Sequence, residues 1–344
     1  MSLYAEVKKT LGSFTLDIKL EAGEETLALL GASGCGKSLT LKCIAGLIKP
    51  DEGRIVVNDR VLFDSDQNIN LTPQQRSAGM LFQTYALFPH MTVLQNIRTG
   101  TVRDTAKRQR EQKVEAAMVR FGLSGLADRF PHQLSGGQQQ RAALARLLVS
   151  EPEILLLDEP FAALDSHLRY QMEQEVQKIL REFGKTAVLV SHDRDEVFRM
   201  SDKVAVMGTG TIETFGTGAQ VFRNPQTRTA AMLTGCRNIS SVVHRKGETV
   251  AEDWGVVLEA GQIPKDVHAV GIRMHDVRPA PGKNTCRCRV VNETENAFSY
   301  IVLLQPLGGT GVISWELEKT QWNMLRAPEV EISLPPEALL MLRK

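Results

Sequence analysis

Two hydrophobic periodicities shape the start of the chain. In FTLDIKL, residues 14–20, apolar and polar positions alternate, which predicts a strand with one buried face. ETLALLG, residues 25–31, is a short apolar run that ends in glycine and predicts a strand buried on both faces. SLTLKCIAGLIKP, residues 38–50, has helical spacing and is expected to stop at Pro50. Strand, glycine-rich turn and helix in this order predict the first unit of an α/β sheet.

The pattern changes from about residue 84 to residue 150. RDTAKRQREQKVEAAMVRFG (103–122) and QQQRAALARLLVS (138–150) predict amphipathic helices, so this stretch is expected to be a mainly helical subdomain. Apolar strands return in EILLLDEP (153–160), TAVLVSHD (186–193) and DKVAVMG (202–208). Their alternation with helical segments predicts a largely parallel sheet.

The last third of the chain has short β-rich segments separated by Gly, Pro and Asn, which predict a small β-barrel or sandwich. We therefore expect an α/β domain over residues 1–235, with the helical subdomain inserted at about 84–150. A separate β-rich domain is expected over residues 236–344.

Composition narrows the classes of function. The formal net charge is +1, so the charge balance favours neither nucleic acid nor an anionic membrane as partner. No window approaches 18 uninterrupted apolar residues, and the first 14 residues lack the apolar core of a secretory signal. The odd count of five cysteines favours reduced thiols in the cytosol. Any membrane contact is therefore expected through a partner.

A glycine-rich loop follows the second predicted strand and fits the pattern G-x-x-x-x-G-K-[ST]. Its residues are Gly31, Ala32, Ser33, Gly34, Cys35, Gly36, Lys37 and Ser38. Glycines let the backbone curl so that several N–H groups face one phosphate. We expect Lys37 to reach the terminal phosphates of a nucleotide and the Ser38 hydroxyl to ligate Mg²⁺.

Polar residues also follow three other apolar runs. Asp158 and Glu159 end one predicted strand and His192 follows another, so all three are expected at the carboxyl edge of the sheet. Asp158 is the candidate for holding Mg²⁺ through water, and Glu159 for orienting or deprotonating the attacking water. His192 is expected near a terminal phosphate. Gln83, at the entrance to the helical subdomain, is a candidate contact to Mg²⁺ or water.

A second candidate anion site lies in LSGGQQQR, residues 134–141. Two glycines and a glutamine stand just before an apolar helix, where N–H groups and the helix dipole favour negative charge. One chain thus carries two phosphate cradles.

GASGCGKS, LFQTYALFPHMTV, LSGGQQQR, ILLLDEPFAALD and VLVSHDRDEV, in this order, resemble the ATP-binding subunits of ABC transporters over residues 1 to about 235. The resemblance implies that Gln83 is the Q-loop glutamine, Asp165 the D-loop aspartate and His192 the switch histidine. It implies that Ser135, Gly136, Gly137 and Gln138 form the signature. It further implies a head-to-tail homodimer, with each ATP between one subunit's glycine-rich loop and the other's signature.

Two positions depart from the family pattern. Leu39 stands where a threonine hydroxyl often touches the α-phosphate, and Thr40 is one residue too late to replace it simply. The adenine ring usually stacks on an aromatic residue near the second strand, for which Phe14 is the nearest candidate and Tyr4 a weaker one. The alternation of Phe14 with Leu16 favours a core position instead.

Residues 80–97 and the β-rich tail, with its GIRMHDVRPA, resemble importer subunits that bind a membrane permease and carry a regulatory TOBE-type domain. FDSDQNINLTPQQR and TGCRNIS further resemble molybdate, tungstate or sulfate importers. Importers of iron(III) or polyamines remain alternatives, as does a soluble ABC ATPase acting on nucleic acid or ribosomes. The resemblance implies ATP and Mg²⁺ as cofactors. It implies a permease at the cytoplasmic membrane face, and indirectly an extracytoplasmic solute-binding protein, as partners.

Overall fold

The computed structural model describes residues 2–101, 106–162, 164–245, 248–259 and 263–343. Two compact units, Met1–Gly218 and Ala219–Lys344, make up the chain. The sequence places the division later, at 235. Residues 219–235 belong with the second unit because Arg273 Nη1 donates to Thr234 O at 2.6 Å and the Arg343 N–H donates to Gln226 O at 2.8 Å.

The first unit is an α/β domain. Its strands are β1 (Leu3–Leu11), β2 (Phe14–Ala22), β3 (Thr26–Gly31), β4 (Glu52–Val57), β5 (Arg60–Asp64), β6 (Ile69–Asn70), β7 (Ala78–Leu81), β8 (Ile154–Asp158), β9 (Ala187–Ser191), β10 (Lys203–Met207) and β11 (Ile212–Thr217). Its helices are α1 (Lys37–Ala45), α2 (Val93–Thr99), α3 (Lys107–Arg120), α4 (Gly136–Leu148), α5 (Ser166–Phe183) and α6 (Arg194–Met200).

The central sheet has the order β11-β10-β3-β9-β8-β7, with β7, β8, β9, β3 and β10 parallel and β11 antiparallel. The parallel sheet predicted from the sequence is confirmed. Both faces are covered: Leu155 and Leu157 of β8 pack into the core on the helical side, and Leu156 packs into the core on the other side. Continuous apolar runs therefore form these strands.

An antiparallel sheet of order β2-β1-β4-β5-β6 shares the second core with α1. As predicted, Leu16, Ile18 and Leu20 of β2 are buried. The prediction that the α1 segment stays helical to Pro50 was wrong. The helix ends at Ala45 because Gly46 takes the left-handed conformation, φ 79°, and accommodates the close approach of a neighbouring side chain, that of the buried Arg76.

The helical subdomain is present: in the described residues between 84 and 150, the regular elements are α2, α3, α4 and short 3₁₀ turns, without a strand. The helix predicted at 103–122 is observed over Lys107–Arg120, and residues 103–105 lie outside the described ranges. Among the described helices, none is long and apolar enough to cross a bilayer.

The second unit is strand-rich, as expected from the sequence. After α7 (Gly218–Arg223) and α8 (Arg228–Leu233), its elements are β12 (Asn238–Arg245), β13 (Glu248–Ala251), β14 (Val256–Val257), β15 (Ala269–Ile272), β16 (Arg278–Pro279), β17 (Thr285–Glu295), β18 (Ser299–Pro306), β19 (Ile313–Glu318), α9 (Lys319–Leu325), β20 (Glu329–Ser333) and β21 (Leu340–Leu342). They form two five-stranded sheets of orders β14-β13-β12-β15-β21 and β16-β20-β17-β18-β19. Three buried tryptophans, at 254, 315 and 322, fill their core.

Candidate functional site

The predicted site residues of the first unit gather at the carboxyl edge of the parallel strands. The Gly31–Ser38 loop follows β3, Asp158 ends β8, and His192 comes directly after β9. Gln83 lies in the turn two residues after β7. Since these four strands are parallel, their carboxyl ends meet at one edge, where open α/β sheets bind ligands.

The glycine-rich loop packs tightly against the strands around it. Gly36 has φ 110°, which favours glycine, and a Cβ atom there would lie 2.7 Å from Leu16 Cδ1. A Cβ atom on Gly31 would lie 2.9 Å from Met207 O of β10. Larger residues at these two positions would push the loop away from the sheet, so the glycines fix the position of the cradle.

Lys37 is buried inside this cradle. Its ammonium donates hydrogen bonds to Gly31 O at 2.7 Å and to Ala32 O at 2.9 Å, both carbonyls of the loop itself. The side chain is only 5% exposed. A buried positive charge held by neutral carbonyls is suited to receive an anionic phosphate.

Ser38 and Asp158 form a direct contact between α1 and β8. Ser38 Oγ donates to Asp158 Oδ1 at 2.7 Å. Burial raises the pKa of Asp158, and the hydrogen bond from Ser38 opposes that shift. A hydroxyl and a carboxylate are oxygen ligands of the kind Mg²⁺ prefers, so the two residues fit this ion.

Glu159 follows Asp158 in a strained backbone conformation. Its φ is 45°, an uncommon value for a residue other than glycine, and its N–H donates to Val190 O at 3.0 Å. The carboxylate Oε1 lies 3.3 Å from His192 Nδ1. The structure therefore brings together the two residues that the sequence placed on separate strands.

Gln83 is exposed, and its loop is held from the helical side by a residue that the sequence reasoning missed. Arg146 of α4 donates to Tyr85 O at 3.0 Å and to Ala86 O at 2.8 Å. Both of those residues have left-handed backbones, with φ 58° and 46°. Because an arginine inside an apolar helix pattern looks like any solvated charge, the sequence gives no signal of this contact.

The signature residues form the start of α4. Ser135 caps the helix by accepting the Gln138 N–H at 3.4 Å, while Gln138 Oε1 accepts the Ser135 N–H at 3.0 Å. Cβ atoms on Gly136 and Gly137 would lie 3.2 Å from Leu164 and Leu168, so both glycines allow close packing at the start of α5. Asp165 caps α5 by accepting the Leu168 N–H at 2.9 Å.

The two predicted phosphate-binding segments of one chain lie on different elements. Among the described residues, no hydrogen bond connects Ser135–Gln138 with Gly31–Ser38. The signature is attached to the α5 side of the molecule, whereas the glycine-rich loop is attached to β3 and β10. The two segments are thus held by different elements of the first unit.

The two unusual positions have clear local environments. Leu39 is half-buried against the core, and the Thr40 hydroxyl donates to Gly36 O at 3.0 Å. Phe14 is half-buried, with its ring edge 3.2 Å from the position of a Cβ on Gly36. Tyr4 donates from its hydroxyl to Glu6. A role of Phe14 in adenine stacking stays a prediction.

Comparison with known proteins identifies the family. A family model described as ABC transporter matches residues 14–162. The sulfate/thiosulfate import ATP-binding protein CysA 2 of Rhizobium meliloti is 36% identical over 340 residues, which cover 96% of this chain and 86% of that protein. This chain belongs to the ATP-binding subunits of ABC importers. Its first unit therefore has the P-loop fold of ABC-type ATPases.

Two further comparisons extend this result. The iron(III) import ATP-binding protein FbpC of Haemophilus influenzae is 46% identical over 221 residues, which cover 64% of this chain and 62% of that relative's length. A solved dimeric structure of the ATP-binding cassette MJ0796, bound to ADP and phosphate, is 30% identical with a TM-score of 0.53. It covers 63% of this chain and 98% of the cassette.

A buried carboxyl close to His192 in sequence, that of Glu196, was not found from the sequence. Ser191 Oγ donates to Glu196 Oε2 at 3.0 Å and accepts the Asp193 N–H at 3.0 Å. The pKa of Glu196 is raised to about 8, mainly by burial and also by Asp193 and Glu173, while the Ser191 hydrogen bond and Arg169 oppose the shift.

Glu196→Gln is expected to change how stability depends on pH. Because the folded pKa of about 8 exceeds the ordinary 4.5, the folded state binds this proton more tightly than the unfolded state. As the pH rises from 4.5 to about 8, the free energy of unfolding of the parent should therefore decrease. The variant should lack the part of this decrease that Glu196 causes. Urea unfolding at pH 5 and pH 8 measures it, with the exposed Glu115→Gln as control. Equal pH dependence in parent and Glu196→Gln would reject the assignment.

Proposed function

We propose that two copies of this chain clasp ATP at their interface and hydrolyse it to power uptake of a solute through a membrane permease. The observation that carries the proposal is that the two predicted phosphate-binding segments of one chain belong to different elements, with no hydrogen bond between them among the described residues. In a C₂ dimer, the glycine-rich loop of each copy can face the signature of the other copy. The two-fold axis makes the two contacts equivalent. The dimeric state of the similar cassette MJ0796 supports this arrangement.

Within one composite site, we assign roles from the contacts described above. The Gly31–Ser38 loop and Leu39 hold the phosphates, with Lys37 supplying the charge that is now held by Gly31 O and Ala32 O. Ser38, Asp158 and Gln83 are the residues that would hold Mg²⁺, which when bound neutralises phosphate charge. Glu159 accepts a proton from the attacking water. His192, whose Nδ1 lies 3.3 Å from Glu159 Oε1, contacts the γ-phosphate.

The partner chain completes the site in this proposal. Its signature, Ser135–Gln138, presents the N-terminus of α4 to the γ-phosphate, where free N–H groups and the helix dipole stabilise negative charge. Asp165 lies beside the signature glycines, at the cap of α5. Loss of the γ-phosphate would remove the contact between the two chains and let them part.

We further propose a peripheral location on the cytoplasmic face of the cell membrane, bound to permease subunits. The exposed loop after Gln83 supports this, because Phe88 is 42% exposed and the loop is attached through Arg146 to the signature helix. Movement of α4 would thus be transmitted through Arg146 to a permease segment bound to this loop. An extracytoplasmic solute-binding protein would act indirectly, through the permease.

For the solute, we propose an oxyanion such as sulfate, molybdate or tungstate. Alignment with the sulfate/thiosulfate relative covers 96% of the chain, including the second unit, whereas alignment with the iron(III) relative covers 64%. Alignment with a spermidine/putrescine import ATP-binding protein covers 97%, so a polyamine is an alternative on the same ground. Within TGCRNIS, the Asn238 side chain forms two hydrogen bonds with the Ser314 backbone. Its Nδ2 donates to Ser314 O at 2.8 Å, and its Oδ1 accepts the Ser314 N–H at 2.7 Å. Iron(III) is the second candidate, supported by the 46% identity of the iron relative.

We propose that the second unit is a regulatory TOBE-type domain. Its two five-stranded sheets around a shared core support the proposal. If the unit binds the transported oxyanion and inhibits the pump, adding that oxyanion on the cytoplasmic side should lower ATP turnover.

The substrate test is ATP turnover by the complex reconstituted with its permease and solute-binding protein in vesicles. Sulfate, molybdate, tungstate, iron(III) and a polyamine are supplied in turn, and the Glu159→Gln complex is the inactive control. Stimulation and uptake with an oxyanion are expected. Stimulation by iron(III) or a polyamine alone would overturn the oxyanion assignment, and turnover without any coupled uptake would overturn the transport role.

A further inference from the structure

Two cysteines of the second unit lie side by side on one strand. Cys286 and Cys288 are two residues apart on β17, so their side chains leave the same face of the sheet. Their Sγ atoms are 3.6 Å apart. The strand is central in its sheet, pairing with β20 on one side and β18 on the other. Pairing with a strand on each side thus holds the two cysteines in this arrangement.

The two thiols differ in access and in acidity. Cys288 is fully buried in the core of the second unit, whereas Cys286 is the one cysteine of the five that is not buried. The hydrogen bond from the Cys288 thiol lowers the pKa of Cys286 and raises that of Cys288. By contrast, burial raises the pKa of both Cys43 and Cys236 to about 11. A half-buried, more acidic thiol next to a fully buried one suits nucleophilic attack followed by resolution.

We propose that Cys286 and Cys288 are a reactive dithiol that a small-molecule disulfide oxidises to an intramolecular disulfide. The Cys286 thiolate attacks one sulfur of the small disulfide, forming a mixed disulfide and expelling one small thiolate. The Cys288 thiol then gives up its proton and attacks Cys286 Sγ, which expels the second small thiolate. Two protein thiols are oxidised, and one small disulfide is reduced to two thiols.

Closure of this bond requires β17 to buckle. Residues two apart in a strand have Cα atoms about 6.4–6.8 Å apart, at the upper limit of the range that disulfides span. The bond would therefore pull Cys286 and Cys288 together and loosen their pairing with Ile332 and Val330 of β20. We infer that the site is a reversible modification site, reduced again by small thiols, and that oxidation is read out through the sheet of β17.

The proposal is independent of the transport function, and its test uses the full chain with oxidised glutathione as probe. After native incubation, acid quenching and alkylation in denaturant, the number of alkylated thiols should fall from five to three. The intact mass should fall by two hydrogens. Since Arg287 separates the two cysteines, tryptic fragments 284–287 and 288–289 should remain linked until a reductant is added. Cys286 should react about tenfold or more faster than Cys43 or Cys236.

Matched variants separate the two steps. Cys288→Ser should stop at one glutathione adduct on Cys286, and Cys286→Ser should form neither adduct nor bridge under the same conditions. The linked fragments of the parent protein decide the question even where a variant fails to fold. Five alkylated thiols after incubation, a stable adduct on parent Cys286, or a bridge involving another cysteine would each overturn the proposal.

Discussion

Glu159→Gln is expected to lower ATP turnover by about 10²–10⁴-fold, the usual contribution of a general base. The amide is nearly the same size as the carboxylate but accepts no proton from water. The loop, Lys37 and Ser38 are unaffected, so ATP binding should persist. Because turnover normally ends the γ-phosphate contact, the variant should accumulate as an ATP-bound dimer.

Phosphate release and sedimentation with ATP measure these two effects together. Glu115→Gln, an exposed change on α3, controls for loss of one carboxylate and should leave turnover at the parental level. Turnover of Glu159→Gln equal to that of the parent would remove Glu159 from the catalytic role. Loss of turnover without ATP-dependent dimers would agree with Glu159 as the general base. It would contradict the expectation that ATP holds two chains together.

The second large effect is expected from mixing two inactive variants. Lys37→Ala removes the charge held in the glycine-rich loop, and Ser135→Arg places a bulky cation at the cap of α4. Each homodimer should be inactive because both of its composite sites contain one damaged half. A mixed dimer has one site with both halves intact, so equal mixing should restore up to about a quarter of parental turnover.

When one variant is titrated into the other, ATP turnover should be highest near equal amounts of the two variants. Ser135→Arg also removes a helix cap, which costs about 1 kcal/mol, so its thermal unfolding is compared with that of the parent. Folded variants that recover no turnover at any ratio would contradict shared sites. Activity of either variant alone would show that one chain is sufficient.

The parts of the site that sequence could predict are those set by local spacing. The loop of residues 31–38, the strand before Asp158 and the cap of α4 each depend on adjacent residues and were placed correctly on their elements. Longer-range contacts could not be predicted, because they join residues far apart in sequence. Arg76 in contact with Gly46 is one example, and Arg146 on the Tyr85 carbonyl is another.

The same distinction applies to the domain boundary and to the cysteines. A change in composition after residue 235 marks where strands begin, but hydrogen bonds of Arg273 and Arg343 draw α7 and α8 into the second unit. The spacing of Cys286 and Cys288 alone does not indicate a contact between them. Their 3.6 Å contact follows from the same-face geometry of a strand, which requires knowing that β17 is one.

The central claim, that ATP is shared between two chains, is tested most directly by a crystal structure of Glu159→Gln with ATP and Mg²⁺. We expect a dimer in which the γ-phosphate lies within hydrogen-bonding distance of Lys37 from one chain and of Ser135 of the partner subunit. A γ-phosphate enclosed by a single chain, with both Ser135 side chains remote from any nucleotide, would contradict it.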